Sequence, residues 1–205
     1  TGGNHIFDNR DVLNFIDKEK RLLRPANYPN DTPGHGYGIY EKKQKKIMVI
    51  NVMGRVFMNP LDDPFDSTKK IISSNLLGSD IHASVIDIHC EATSEKMAMG
   101  FEFDGKVSLI VGTHTHVPTA DARILDNGTA YITDLGMCGD YDSIIGMDKK
   151  KSLERFRRKI PVGGISPASG EATLSGVFVE TDDRNGMAKS IRPIIVDGKL
   201  QSNWS

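Results

Sequence analysis

The sequence predicts one mixed α/β domain that extends over residues 1–205. A chain of 205 residues is long enough to bury one full hydrophobic core. Apolar, strand-like segments alternate with helical segments along most of the chain, and a β-hairpin pattern follows them. The composition, 38% hydrophobic and 26% charged residues, is typical of a globular protein.

The first predicted elements are a helix and a β-hairpin. Asp8 is a suitable N-cap, apolar residues at helical spacing follow it, and Pro25 ends the pattern. A turn-rich loop is predicted over residues 28–38. The segments YGIY (37–40) and KIMVINV (46–52) then predict two adjacent strands joined by a polar turn.

Strands and helices continue to alternate through the rest of the chain. A helix is predicted to start at a cap formed by Asp66 or Ser67. The later elements are a strand (84–90), a helix (93–103), two strands (106–114 and 128–136), an amphipathic helix (148–160) and a hairpin that turns near residues 184–186. In the amphipathic helix, Leu153, Phe156 and Ile160 form one apolar stripe.

Charge, hydropathy and cysteine content limit the class of function. The formal net charge of −1, without a basic stripe, argues against non-specific polyanion binding but allows a small anionic substrate. No apolar run approaches the ~20 residues that span a bilayer, so no membrane segment is expected. Cys90 and Cys138 fit no zinc-ribbon pattern, which favours reduced thiols in a cytoplasmic protein, although Cys90 follows a histidine and stays open as a metal ligand.

Several histidines follow predicted apolar strands. His89, His114 and His116 lie at or just past carboxyl ends of strands, where α/β sheets collect ligand-binding groups. The His-x-His pair offers two imidazoles from one loop, and His89 with the side-chain oxygen of Asn4 completes a nitrogen- and oxygen-rich site. Such a site suits Mn, Fe or Zn, and His5 lies beside it in a Gly-rich turn. Each histidine taken alone is equally compatible with a structural role.

Three motifs resemble those of the calcineurin-like metallophosphoesterases: GGNH (2–5), DIHCEATSEK (87–96) and GTHTHVPTAD (112–121). Within that superfamily the chain is most similar to the bacterial YmdB-type branch, because HCEATSEK and RPANYP (24–29) are typical of that branch. The resemblance covers the chain from Thr1 to about Arg192.

The resemblance implies a four-layer α/β/β/α sandwich with two adjacent divalent metal ions. It implies hydrolysis of phosphodiesters, in this branch of 2′,3′-cyclic nucleotides. Asn4, His89 and His114 resemble the ligands of one metal, His116 resembles a ligand of the other, and His5 resembles the catalytic histidine that faces the leaving group. The expected partner is a small phosphodiester; self-association is common in the family, and neither a membrane nor a stable nucleic-acid partner is expected.

The resemblance also implies that the family domain is incomplete at its N-terminal side. The family's first two motifs, which provide the bridging carboxylate, come before Gly-Asn-His, and here nothing precedes Thr1. The first strand–helix–strand portion is therefore expected to be missing, either because the chain is a fragment of a longer product or because another chain supplies that part.

Three functions follow as hypotheses. The first is a metal-dependent phosphodiesterase in which His5 assists the leaving group. The second is a non-catalytic regulatory protein that binds metal or nucleotide, and the third is a phosphomonoesterase of the same superfamily. Glu91, Glu95 and Asp134 lie near the motifs and are predicted either to orient the imidazoles or to be ordinary surface or capping carboxylates.

Overall fold

Strands and helices alternate along the computed structural model, which describes residues 1–161 and 163–204. The predicted mixed α/β fold is confirmed. Two short 3₁₀ helices, Gly3–His5 and Arg10–Asn14, come before the first strand. The elements that follow in the described residues are β1 (Tyr37–Lys42), β2 (Lys45–Met53), α1 (Pro64–Ser73), β3 (Ala83–His89), α2 (Thr93–Glu102), β4 (Leu109–Thr113), β5 (Arg123–Ile124), β6 (Ala130–Ile132), β7 (Gly139–Asp140), α3 (Lys149–Arg158), β8 (Ala172–Thr181) and β9 (Ala188–Val196).

The larger sheet has six strands in the order β1-β2-β3-β4-β6-β5. Strands β2, β3, β4 and β6 are parallel, and β1 and β5 pair antiparallel at the two edges. In this register Met53 pairs with His89, and His89 pairs with Thr113. The carboxyl ends of β2, β3 and β4 therefore meet at one edge of the sheet. The predicted site residues His89 and His114 lie at this edge.

The central strands are buried because apolar residues occupy both of their faces. Ile86, Ile88 and Ile110 have no exposed surface, and they share one core cluster with Ile72 of α1 and Met99 of α2. Burial of each large aliphatic side chain stabilises the fold by about 1.5–3 kcal/mol. The two helices and the parallel strands therefore form one rigid support for the loops at the carboxyl edge.

The smaller sheet has three strands in the order β7-β8-β9. Its main part is the predicted hairpin of β8 and β9, with a register shift between Glu180 and Thr181. The hairpin contacts the larger sheet where the Ala188 amide donates to the Gly128 carbonyl over 2.9 Å. The hairpin prediction is confirmed, whereas the sequence analysis missed the two-residue strands β5 and β7, which are too short to show periodicity.

The helix predicted between Asp8 and Pro25 is wrong. Only the 3₁₀ helix Arg10–Asn14 forms, and its cap is Asn9, whose side chain accepts from the Asp11 amide. The end of this segment bonds to the next loop, since the Arg24 amide donates to the His35 carbonyl over 2.9 Å. Tertiary bonds to the middle of the segment, which the Gly34 amide donates to Asp17 Oδ1 and the Tyr40 hydroxyl donates to the Lys20 carbonyl, outweigh the helical spacing of the apolar residues.

The three α-helices are each ten residues long. α1 starts earlier than predicted because Asp63 caps it and Pro64, whose ring suits the first turn, follows directly. α3 forms as predicted behind the cap Asp148, but its apolar stripe stays exposed, with Phe156 63% accessible. In the described part of the chain, no helix has the length and apolar character that crossing a bilayer requires.

Candidate active site

Three of the predicted site residues meet at the carboxyl edge of β3 and β4. His89 is the last residue of β3, His114 follows β4 directly, and Asn4 lies in the 3₁₀ helix Gly3–His5. Asn4 Oδ1 lies 2.6 Å from His89 Nε2, and His114 Nδ1 lies 3.1 Å from the same nitrogen. The two rings pack edge to face with their centroids 4.8 Å apart. These residues are called the Asn4–His89–His114 cluster below.

Gly3 allows Asn4 to approach His89 this closely. Its φ is +53°, and a Cβ at this position would come within 2.5 Å of His89 Nδ1. Its amide donates to Asn51 Oδ1 over 3.2 Å, which ties the short helix to β2. Only glycine combines that backbone conformation with the missing side chain.

A hydrogen-bond relay fixes the ring of His89. The Thr113 hydroxyl donates its single hydrogen to Asp87 Oδ1 over 2.7 Å, and Thr113 Oγ1 lies 3.0 Å from His89 Nδ1. Because that hydrogen is used, Nδ1 of His89 is the donor of the second bond and Nε2 keeps its lone pair. His89 Nε2 and Asn4 Oδ1 then face each other as two acceptors, an arrangement that a cation bound to both atoms stabilises.

Burial keeps the two clustered imidazoles neutral. It lowers the pKa of His89 to about 4, with further lowering by the neighbouring His114, His5 and Lys96. Burial also lowers the pKa of His114, against the opposing effect of the Glu91 carboxylate. Neutral imidazole is the form of histidine that binds metal ions, so both rings are in that form at neutral pH.

The donor set of the cluster fits one divalent cation. Ligand atoms that are each about 2.1 Å from one cation lie about 3.0–3.4 Å apart. The 3.1 Å separation from His114 falls in that range, and the 2.6 Å separation from Asn4 is shorter. Two imidazole nitrogens and an amide oxygen suit Mn, Fe or Zn. Within residues 1–161 and 163–204, no group of three His, Cys, Asp or Glu side chains could hold a metal ion. The Asn4–His89–His114 cluster contains only two such side chains, and its third donor is an asparagine.

His5 and His116 hydrogen-bond outside the cluster. His5 Nδ1 donates to Asp8 Oδ2 over 2.7 Å, and His116 Nδ1 donates to the Ile145 carbonyl over 2.8 Å. Both histidines are close enough to the cluster to act on it electrostatically. His5 helps to lower the pKa of His89, and His5 and His116 both help to lower the pKa of His114. The structure therefore joins three of the five predicted site residues directly and places the other two beside them.

The carboxylates near the motifs have different roles. Glu91 Oε2 lies 3.2 Å from His114 Nε2 and so orients that ring, which is one of the two roles that the sequence left open. Glu95 accepts from the backbone amides of Arg55 and Val56 after β2, which places its carboxylate away from the imidazoles. Asp134 pairs with Lys96 over 2.7 Å.

The Cys90 thiol is directed into the protein, not toward the cluster. Its Sγ contacts Glu95 Oε2 over 3.0 Å and the Ala92 carbonyl over 3.3 Å. Burial, together with the Glu95 hydrogen bond, raises the pKa of Cys90 to about 12. A thiol that stays protonated is a poor metal ligand.

Sequence reasoning missed three residues that support the cluster. Asp87 and Thr113 form the relay to His89, and Lys96 neutralises Asp134. A signal for Asp87 was present, because it lies two residues before His89 and so shares a face of the same strand. A lone aspartate inside an apolar strand indicates a buried partner.

Comparisons with known proteins agree on one family. The family model described as "YmdB-like protein" matches residues 1–194. A curated relative, the 2′,3′-cyclic-nucleotide 2′-phosphodiesterase of Bacillus subtilis (strain 168), is 46% identical over 197 residues, which cover 96% of this chain and 74% of the relative.

Two solved structures are similar over nearly the whole chain. A hypothetical protein from Thermus thermophilus superposes with a TM-score of 0.88 at 38% identity, covering 96% of this chain and 75% of that one. A structure described as a novel phosphatase of Mycoplasma pneumoniae has a TM-score of 0.83 at 36% identity, covering 95% and 70% of the two chains. The chain thus spans about three quarters of its Bacillus relative.

Proposed function

This chain belongs to the YmdB-like protein family, and from that membership we propose that it is a metal-dependent phosphodiesterase that hydrolyses 2′,3′-cyclic nucleotides. One observation carries the proposal: Asn4 Oδ1 and His114 Nδ1 both lie within 3.1 Å of His89 Nε2, with His5 next to Asn4 in the chain. The activity for which the Bacillus relative is named supports the substrate class.

We assign Asn4, His89 and His114 to one divalent cation and His116 to a second. When bound, two such cations polarise the phosphoryl oxygens and lower the pKa of the attacking water. The chain positions the ligand atoms before a cation binds. The Thr113–Asp87 relay keeps the Nε2 lone pair of His89 available to the cation. Glu91 contacts Nε2 of His114 and so orients the ring with Nδ1 toward His89. The donor set of Asn4, His89 and His114 suits Mn, Fe or Zn.

We assign His5 to the leaving group. Because Nδ1 of His5 donates to Asp8, Nε2 is the ring nitrogen left to face substrate. With both of its ring nitrogens protonated, His5 gives the Nε2 proton to the departing O2′ as a water oxygen bonds to phosphorus and the bond from phosphorus to O2′ breaks. The proton that the water loses returns the ring of His5 to its doubly protonated form. The product is a nucleoside 3′-phosphate, in agreement with the name of the Bacillus relative, a 2′-phosphodiesterase.

We propose a cytoplasmic location. Cys90 and Cys138 are both free thiols, as expected in a reducing compartment. The net charge of −1 favours a small substrate over a stable nucleic-acid partner. Self-association stays a prediction, to be tested by light scattering.

The proposed activity is tested by comparing 2′,3′-cyclic AMP with p-nitrophenyl phosphate, a monoester, as substrates of the full chain with Mn²⁺. We expect faster hydrolysis of the cyclic diester, and a loss of that activity in Asn4→Ala. Asn75→Ala is the matched control, because the Asn75 side chain bonds to the Ile71 carbonyl, within its own segment of the chain. Faster monoester hydrolysis would favour the phosphomonoesterase, and Mn²⁺ binding without hydrolysis would favour the regulatory protein.

A further inference from the structure

A buried ion pair lies beneath the loop that carries His114 and His116. Lys96 Nζ and Asp134 Oδ2 are 2.7 Å apart, and their side chains are 0% and 1% exposed. Removing two charges from water costs more than an ordinary salt bridge returns, so stability alone does not explain a pair of this kind.

The carboxylate of Asp134 holds the backbone of that loop. Its Oδ2 accepts from the Thr115 amide over 3.2 Å and from the Thr115 hydroxyl over 2.7 Å. Its Oδ1 accepts from the Gly136 amide over 2.8 Å. Thr115 is the residue between the two histidines, so one carboxylate fixes the centre of the His-x-His motif.

Both histidines of the motif have a backbone conformation that favours glycine. The φ angle is 100° at His114 and 68° at His116. L-residues adopt positive φ rarely, and they keep it only where the surrounding structure enforces it. The two bonds from Thr115 to Asp134 provide such a constraint between them.

Lys96 can reach Asp134 because β4 contains a glycine. A Cβ at Gly112 would come within 2.7 Å of the Lys96 side-chain carbon Cδ. The lysine thus passes from α2 along β4 to Asp134, two residues after the end of β6. It neutralises the carboxylate while leaving acceptor capacity for Thr115.

We propose that Lys96 and Asp134 are positioning residues, which hold the His114-Thr115-His116 loop in the conformation that binds the cations. They act through Thr115 and touch neither substrate nor cation. The inference rests on the proposed function for its effect on catalysis. Its structural part, the grip of Asp134 on Thr115, does not depend on any activity.

The first test is the pair Thr115→Val and Thr115→Ser in the full chain. Valine removes the hydroxyl donor but keeps the branched shape, whereas serine keeps the donor. We expect Thr115→Val to raise the Mn²⁺ dissociation constant about 10–100-fold in calorimetric titration and to lower kcat similarly. Thr115→Ser should restore both values to near those of the parent.

Thr68→Val is the matched control. Thr68 is buried in α1 and donates its hydroxyl hydrogen to the Pro64 carbonyl over 2.7 Å, at a position remote in the chain from both histidines. This variant should keep the parent's Mn²⁺ affinity and kcat even if its melting temperature falls. Equal effects of Thr68→Val and Thr115→Val would overturn the proposal.

The second test measures amide hydrogen exchange of Thr115 without metal or substrate. We expect slow exchange in the parent and at least roughly tenfold faster exchange in Asp134→Asn, in which the charged acceptor is lost. Should Asp134→Asn fail to fold, the Thr115→Val and Thr115→Ser pair decides alone. Unchanged Mn²⁺ affinity in Thr115→Val would overturn the inference in either case.

The two proposals fail in different ways. A parent chain that binds Mn²⁺ but does not hydrolyse 2′,3′-cyclic AMP refutes the proposed function, while weaker Mn²⁺ binding by Thr115→Val still supports the positioning role. An active parent whose Thr115→Val variant keeps full kcat and Mn²⁺ affinity refutes the positioning role alone.

Discussion

His5 hydrogen-bonds to Asp8 and not to the Asn4–His89–His114 cluster, which separates its role from metal binding. We expect His5→Ala to lower kcat on 2′,3′-cyclic AMP about 10²–10⁴-fold, because the leaving oxygen loses its proton donor. Bound Mn²⁺, measured by elemental analysis after gel filtration, should stay at the parent's level. His82→Ala is the control, since His82 bonds to the Lys46 amide at the start of β2. Loss of Mn²⁺ together with activity would make His5 a ligand.

The two cysteines differ in reactivity because their surroundings differ. Burial raises the pKa of the Cys90 thiol to about 12, so almost none of it is thiolate in mildly alkaline solution, whereas Cys138 is exposed. We expect iodoacetamide to add one label to the native chain, at Cys138, and two labels in guanidinium chloride. Intact mass and peptide mapping check this result. Rapid double labelling of the native chain would contradict the buried position of Cys90.

At the scale of single elements, β4 depends on a glycine at its crowded side. A Cβ at Gly112 would overlap the Thr133 carbonyl of the neighbouring chain segment and crowd Lys96. We expect Gly112→Ala to lower the free energy of unfolding by about 1–3 kcal/mol or more, measured by urea denaturation.

Gly176→Ala on β8 is the matched control, because in the described structure no atom apart from those of Gly176 and its two chain neighbours lies within 4 Å of the position that its Cβ would take. That change should leave stability equal or slightly higher, by up to about 1 kcal/mol, because alanine restricts the unfolded chain. Equal destabilisation by the two substitutions would show that lost glycine flexibility, and not overlap, causes the effect.

The elements that the sequence predicted well are those with long local signals. β3, α2 and the β8–β9 hairpin have clear periodicity or composition, and they form where expected. The helix expected after Asp8 does not form, because the segment instead bonds to residues that follow it, as where Asp17 accepts from the Gly34 amide and the Lys20 carbonyl accepts from the Tyr40 hydroxyl. Short-range patterns carry no information on such a contact.

The candidate site divides in the same way. Asn4, His89 and His114 each belong to a short, recognisable sequence motif, and the structure brings them together. The support from Lys96 and Asp134 joins residues 38 apart in sequence, and nothing local indicates that they meet. A sequence therefore shows candidate ligands more readily than it shows the residues that hold them.

At the scale of the whole molecule, cation binding should stabilise the folded chain. The unfolded chain holds Asn4 and His89 far apart, so Mn²⁺ binds mainly to the native state. At a free concentration of about 100 times Kd, this adds about 2.7 kcal/mol. We expect a higher melting temperature with Mn²⁺, reversed by chelator and absent in His89→Ala. An equal shift in that variant would mean that Mn²⁺ binds elsewhere.

Asn4 and His89 are 85 positions apart along the chain, and His114 follows 25 positions later. The donors come from the first 3₁₀ helix, from the end of β3 and from the residue after β4, so residues 1–88 contain only one of the three. Closing such distant contacts is slow compared with forming helices and hairpins. If these residues hold the cation as proposed, a ribosome must release most of the parallel sheet before the cation can bind, and its uptake becomes a late event in biosynthesis.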